Sequence, residues 1–119
     1  MQRTEIRTAW ADFFRSYDVM LCPVSVTAAF PHQTGGSLLD RKLIVSGVER
    51  PHTELIKWAC MIGMAYLPVT TPPLGLTASG LPTSMQVVAP YGEDRTALHF
   101  ARLLADVTGT GYQPPPNFA

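Results

Sequence analysis

The residues of this 119-residue sequence with the means to do chemistry are few: three histidines, two cysteines, two lysines and a Gly35-Gly36-Ser37 run. His32, His52 and His99 share no metal-ligand spacing, so they read as unrelated loop or helix-surface side chains, and no metal is expected. Cys22 and Cys60 each lie in an apolar run rather than in a CxxC pair, which predicts buried reduced thiols and no disulfide. Gly35-Gly36-Ser37 is framed by neither a strand nor a helix and lacks the context of a nucleophile elbow or phosphate loop, so it reads as a flexible loop. Lys42 or Lys57 could act as a base only beside a nucleophile and an anion hole, which the sequence does not supply. Glu93 and Asp94 are adjacent, so on a helix they would not face each other; they suit a helix start instead. From the residues alone no catalytic constellation emerges.

The elements that would position these groups follow from periodicity. Ile6, Ala9, Trp10, Phe13, Phe14 and Tyr17 form one helical stripe, with Thr4 as the expected N-cap. Val19 to Cys22 is a short non-alternating apolar run closed by Pro23, which predicts a strand buried on both faces. Residues 24–52 read as a long, partly ordered loop with one strand-like stretch at Lys42 to Ser46. Thr53 to Tyr66 is helix-like, capped by Thr53 and apolar nearly all round, which predicts burial nearly all round. Pro68 to Leu74 and Leu81 to Ala89 read as a hairpin with a longer loop, its first strand short, at an edge or bulged at Pro72 and Pro73. Glu93 to Val107 reads as a helix with Ala97, Phe100, Ala101, Leu104 and Val107 inward, ended by Gly109, and Pro114 to Pro116 as an extended tail. Met20, Met61, Met64 and Met85 are assigned to the core. The order α-β-loop-α-β-β-α is that of an α/β fold: a layered mixed sheet flanked by helices, one domain over residues 1–119.

Composition narrows the partners. Nine basic and nine acidic residues cancel, and no basic stripe exists to neutralise phosphates, which argues against nucleic acid. The longest apolar run, Trp58 to Val69, is too short for a bilayer crossing of about 20 residues, and the first residues show no signal-peptide run; the expected location is the cytoplasm, away from membranes. Only 15% of residues are charged, against about 25% in ordinary soluble chains, while mean hydropathy is +0.10. Such a surface predicts a covering, by a second copy or by a partner chain.

Several segments together are similar to the C-terminal part of the amidase signature family. They are Trp10-Ala-Asp-Phe-Phe14, Tyr17-Asp-Val-Met-Leu-Cys-Pro23, Ala29-Phe30-Pro31, Pro68-Val-Thr-Thr-Pro-Pro-Leu-Gly75, Gly80-Leu-Pro82 with Met85-Gln-Val-Val-Ala-Pro90, and the helix from Asp94. The resemblance implies amide-bond hydrolysis by a serine nucleophile, a second serine in a cis peptide and a lysine, without a cofactor. In the family these groups lie upstream of the matching segments, and the chain has no Gly/Ser-rich stretch of that kind, so no catalytic residue carries over. What the resemblance does imply is a wall on the acyl side of the substrate site at Pro23, Val24, Trp58 and Ile62, fitting an apolar or aromatic amide; the same four residues would also suit a plain core. The small-molecule substrate would bind only together with the catalytic part. Gly63 and Tyr66 stand where many members have asparagine and glycine, and Ser84 replaces a glycine. The alternative reading is an inactive standalone domain derived from an amidase, associating with itself or a partner through its apolar face.

Overall fold

The computed structural model describes residues 2–114. Helix α1 spans Arg3–Phe13, strand β1 Met20–Pro23, β2 Lys42–Val45 and β3 Val48–Pro51. A 3-10 turn at His52–Ile56 leads into α2, Lys57–Gly63; then come β4 Val69–Thr70, β5 Pro73–Leu76, β6 Pro82–Val88 and α3 Asp94–Thr108. The expected α/β layering is present, with every strand pairing among the described residues antiparallel.

β6 organises the main sheet. On one side it pairs with β1, Cys22 opposite Gln86; on the other it pairs with β4 near Val88 and with β5 near Pro82. The expected short, bulged first hairpin strand is found, split by Pro72 and carrying a register shift between Pro73 and Gly75. A proline cannot donate to the ladder, so the break falls where two prolines meet. Gln86, Val87, Val88 and Ala89 are all buried, because helices cover both faces of β6. Val88 packs with Cys22 and Ile62 on the α2 side, joined by Phe14 and Trp58; Val87 and Ala89 pack with Ala97 of α3, joined by Val19 and Phe100. Each fully buried valine contributes about 1.5–3 kcal/mol of apolar transfer.

Several expectations are corrected. The α1 cap is Gln2, whose N–H donates to the Glu5 carboxylate at 2.9 Å, rather than Thr4; the sequence offers a reciprocal Gln2/Glu5 pair one turn apart. β1 is not buried on both faces, since Leu21 is 45% exposed: α3 covers β6 but nothing in the described chain reaches over Leu21. Within residues 24–52 the chain forms a second hairpin, β2 with β3, turned at Ser46 and Gly47, both at positive φ. Such a two-residue turn suits the strands' twist, but Val48-Glu49-Arg50-Pro51 lacks an apolar period and hid the second strand. The helix expected over Thr53–Tyr66 is a 3-10 turn followed by only seven α-helical residues, and it is not buried all round. Its start tightens where Glu54 folds under to meet Arg50 and Lys57, and Ile56, Cys60 and Met64 face outward, so neither Cys60 nor Met64 is core. Val107 is 86% exposed although α3 otherwise runs as expected, with Ala97 and Ala101 inward and Gly109, at φ +68°, ending it. Tyr17 is likewise exposed, the chain having left the helix after Phe13. Of the expected proline tail, Pro115 and Pro116 lie outside the described residues.

Tyr66 adopts φ +57°, the left-handed region that costs a non-glycine residue about 1 kcal/mol or more. Its ring lies beneath Arg3, whose guanidinium carbon is 4.7 Å from the ring centroid and whose Nη1 donates to the tyrosine hydroxyl.

Candidate functional site

The chain leaves β1 at Pro23 and runs as Val24-Ser25-Val26-Thr27 beside the start of β6. Between this loop and Pro82-Thr83-Ser84 lies an open groove of about 380 Å3. Two interactions fix its walls. Gln86, 5% exposed, donates from Nε2 to the Pro23 carbonyl at 2.8 Å, and Thr83 donates from Oγ1 to the Gly75 carbonyl at 3.1 Å. Ser25 Oγ is buried with no hydrogen-bond partner among the described residues.

The four residues expected to form a pocket wall divide into two pairs. Pro23 and Val24 line the groove, the first exposed and the second half-buried. Ile62 is 1% exposed and packs against Cys22 and Val88, with Trp58 half-buried on the same cluster. Cys22 joins the pairs: it precedes Pro23 in β1 and touches Ile62 in the core. Burial pushes the Cys22 thiol above its ordinary value, while a hydrogen bond from Gln86 pulls the other way.

Among the described residues no nucleophile and base come together around the remaining reactive groups. Lys57 Nζ is 2.8 Å from Glu54 Oε1, and Arg50 Nε is 2.9 Å from Glu54 Oε2, so this lysine is engaged by a carboxylate rather than aimed at a nucleophile. The Lys57 ammonium, followed by the Arg50 guanidinium, holds the Glu54 carboxyl below the usual glutamate range. His52 meets the Phe30 ring edge-on with centroids 5.7 Å apart, which docks the Phe30-Pro31 loop on the 3-10 turn that follows the second hairpin. Among the described residues no group of three or more His, Cys, Asp or Glu side chains could hold a metal ion, and no helix is long and apolar enough to cross a membrane.

Gln86 and Ser25 carry no periodic apolar signal that marks them as groove residues. The available signal was a lone glutamine inside Met85-Gln-Val-Val88, and polar residues alternating with valines from Val24 to Thr27. A polar side chain in a buried run must satisfy its hydrogen bonds there, and Gln86 does so on the groove wall.

Comparison with known proteins is consistent across sequence and structure. A family model described as Amidase matches residues 1–98. The A subunit of glutamyl-tRNA(Gln) amidotransferase from Leptospira interrogans is 26% identical over 115 residues, covering 97% of this chain and 22% of that protein. An acylamidase from Rhodococcus erythropolis is 30% identical over 105 residues, covering 82% of this chain and 20% of its own length. This chain therefore spans about a fifth of the curated relatives it matches. A solved chain from work on a vestigial protein complex and the evolutionary origins of an s-triazine catabolic enzyme superposes with a TM-score of 0.78 at 20% identity. The match covers 95% of this chain and 24% of the solved one, and at that identity it speaks for the fold.

Proposed function

This chain belongs to the amidase family, and from that premise we propose that it acts as the C-terminal segment of an enzyme hydrolysing carboxylic amides, its catalytic serines and lysine being supplied by other sequence. The observation that carries this reading is the extent of the match: nearly the whole chain aligns, yet it corresponds to only 22% and 20% of the relatives' lengths. The segment would contribute strands to a larger sheet and one wall of the substrate site. Pro23 and Val24 form the face of that wall, with Trp58 and Ile62 holding it from behind through Cys22.

The groove suggests how the wall would work. Its apolar side, Pro23 and Val24, would exclude water from an acyl or aryl group. Gln86 fixes the Pro23 carbonyl, so the loop cannot relax away from the substrate without breaking this partly buried hydrogen bond. The chemistry of amide cleavage, with a serine oxygen attacking the carbonyl carbon and a lysine moving its proton, belongs to residues outside this sequence.

A second reading rests on a specific observation. Leu21, Leu98, Leu103 and Val107 are all at least 45% exposed, and exposed apolar surface of this kind marks contact sites. The chain would then be an inactive domain that associates with itself or with another protein. Assaying the purified chain against simple aryl and alkyl amides tests the first reading: no turnover is expected, and turnover abolished by a serine-directed reagent would refute it. Light scattering tests the second, which fails if the chain is a monomer that binds no apolar dye.

A further inference from the structure

We propose that the concavity between α1 and the loops preceding β4 and α3 binds a small carboxylate bearing an apolar body, of the aryl or short acyl type. The cavity measures about 610 Å3, within the range of about 300–1,000 Å3 typical of small-molecule sites. Its floor includes Phe14 and Leu67, while Arg3 and Arg7, four residues apart on one helical face, stand on its rim.

Neither arginine has a carboxylate partner among the described residues, where the ion pairs involve only Arg15, Arg50 and Lys57. Each is instead held by a tyrosine. The Arg7 guanidinium carbon lies 4.1 Å from the Tyr91 ring centroid, and Arg3 lies over Tyr66 and donates to its hydroxyl. Stacking of this kind fixes a guanidinium in place without neutralising it, and leaves in-plane N–H groups for an anion. Glu93 also lines the cavity, but its Oε2 accepts from Thr96 Oγ1 at 2.8 Å in the first turn of α3. Two positive charges against one negative charge suit a monoanion.

The apolar part of the lining selects a carboxylate with an apolar body over inorganic phosphate. A phosphate would leave Phe14 and Leu67 uncovered, whereas an aryl or acyl group buries them while its carboxylate meets the arginines in their forked geometry. Independently, Tyr66 is held at φ +57° where glycine would sit without strain, and the ring kept there is the one beneath Arg3. Backbone strain retained at a residue that positions a rim cation is expected of a binding site. The inference stands on this cavity alone and does not depend on the amide-hydrolysis reading.

The test is an NMR titration of the 119-residue chain at low ionic strength with benzoate, benzamide and inorganic phosphate. Benzoate is expected to give saturable shifts at Phe14, Leu67 and Tyr91, with affinity about tenfold or more above that of benzamide or phosphate. Arg7→Gln and Arg3→Gln should each lower benzoate affinity about tenfold, Arg7→Lys should lower it less, and Arg95→Gln on α3 should leave it unchanged. Should a glutamine variant lose its dispersed spectrum, the Arg7→Lys variant and the benzamide comparison decide. Equal binding of benzoate and benzamide, tighter binding of phosphate, an equal loss in Arg95→Gln, or no saturable benzoate shift would each overturn the proposal.

Discussion

Gln86 reaches across the β1–β6 pair and donates from Nε2 to the carbonyl oxygen of Pro23 at 2.8 Å, although its backbone partner in the register is Cys22. The bond therefore pins the point at which the chain leaves the sheet and becomes the groove wall. Replacing Gln86 by Leu would remove this partly buried bond to the Pro23 carbonyl and should cost about 0.5–1.5 kcal/mol. Urea unfolding of the wild-type chain and the variant checks this; an unchanged midpoint would mean that water satisfies the carbonyl.

Val24 in the groove and Ile62 in the core cluster, both proposed to belong to the substrate wall, should respond differently to truncation. Ile62→Ala should destabilise by about 2–5 kcal/mol, as expected for deleting a branched side chain from a site only 1% exposed. Val24→Ala, at a half-buried groove position, should cost less than about 1 kcal/mol. Thermal melts of the two variants decide, and similar losses in both would place Val24 in the core instead.

Acid should weaken the contact between the second hairpin and α2. Glu54 has its folded pKa lowered by Lys57 and Arg50, so the stability this confers is complete above the ordinary glutamate value and is lost as pH falls through the lowered folded value. Because Lys57 and Arg50 are themselves largely exposed, added salt should shrink the effect. The stability gap between wild type and Glu54→Gln, followed by melting temperature, should close on acidification; a gap constant from neutral to strongly acidic pH would contradict the assignment.

Tyr66 carries opposing contributions, backbone strain against its contact with Arg3. Tyr66→Ala loses the contact and keeps the strain, whereas Tyr66→Gly loses both. The glycine variant should therefore be the more stable of the two by about 1 kcal/mol. Chemical denaturation of both variants measures the difference, and an alanine variant equal to the glycine one would show that the left-handed backbone is not retained.

The two thiols should differ in reactivity. Cys60 is exposed and should be alkylated by iodoacetamide in the native state, while buried Cys22, its thiol pushed up by desolvation, should react only on unfolding. Mass spectrometry of the labelled native chain reads this directly, and labelling of Cys22 at the same rate would mean that the β1–α2 core opens readily.

Much of the architecture was legible because the residues concerned satisfy local rules that the fold respects. The stripe from Ile6 to Phe14 and the run from Ala97 to Leu104 each carry a helical period, and the Pro72-Pro73 break forced a bulged strand. Legibility failed where burial depends on what lies opposite. Leu21, Cys60 and Val107 are apolar and sit in regular elements, yet they face outward because the described chain provides no layer over them. Strand β3 was missed because Glu49 and Arg50 occupy it; its pairing is set by the Ser46-Gly47 turn rather than by its own side chains. For the groove, the sequence motif pointed to Pro23 and Val24, but the hydrogen bond from Gln86 to Pro23 joins residues 63 apart and follows only from the β1–β6 register.

The central claim is that this chain supplies a wall and strands to an amidase whose catalytic groups lie elsewhere. Its most direct test is to replace the matching fifth of the Rhodococcus erythropolis acylamidase with this chain and measure amide hydrolysis. The account predicts that the chimaera folds and hydrolyses aryl amides, and that Val24→Arg in the groove abolishes turnover while leaving the melting temperature within a few degrees of the parent chimaera. A folded chimaera without activity, or one whose activity is indifferent to Val24→Arg, would contradict it.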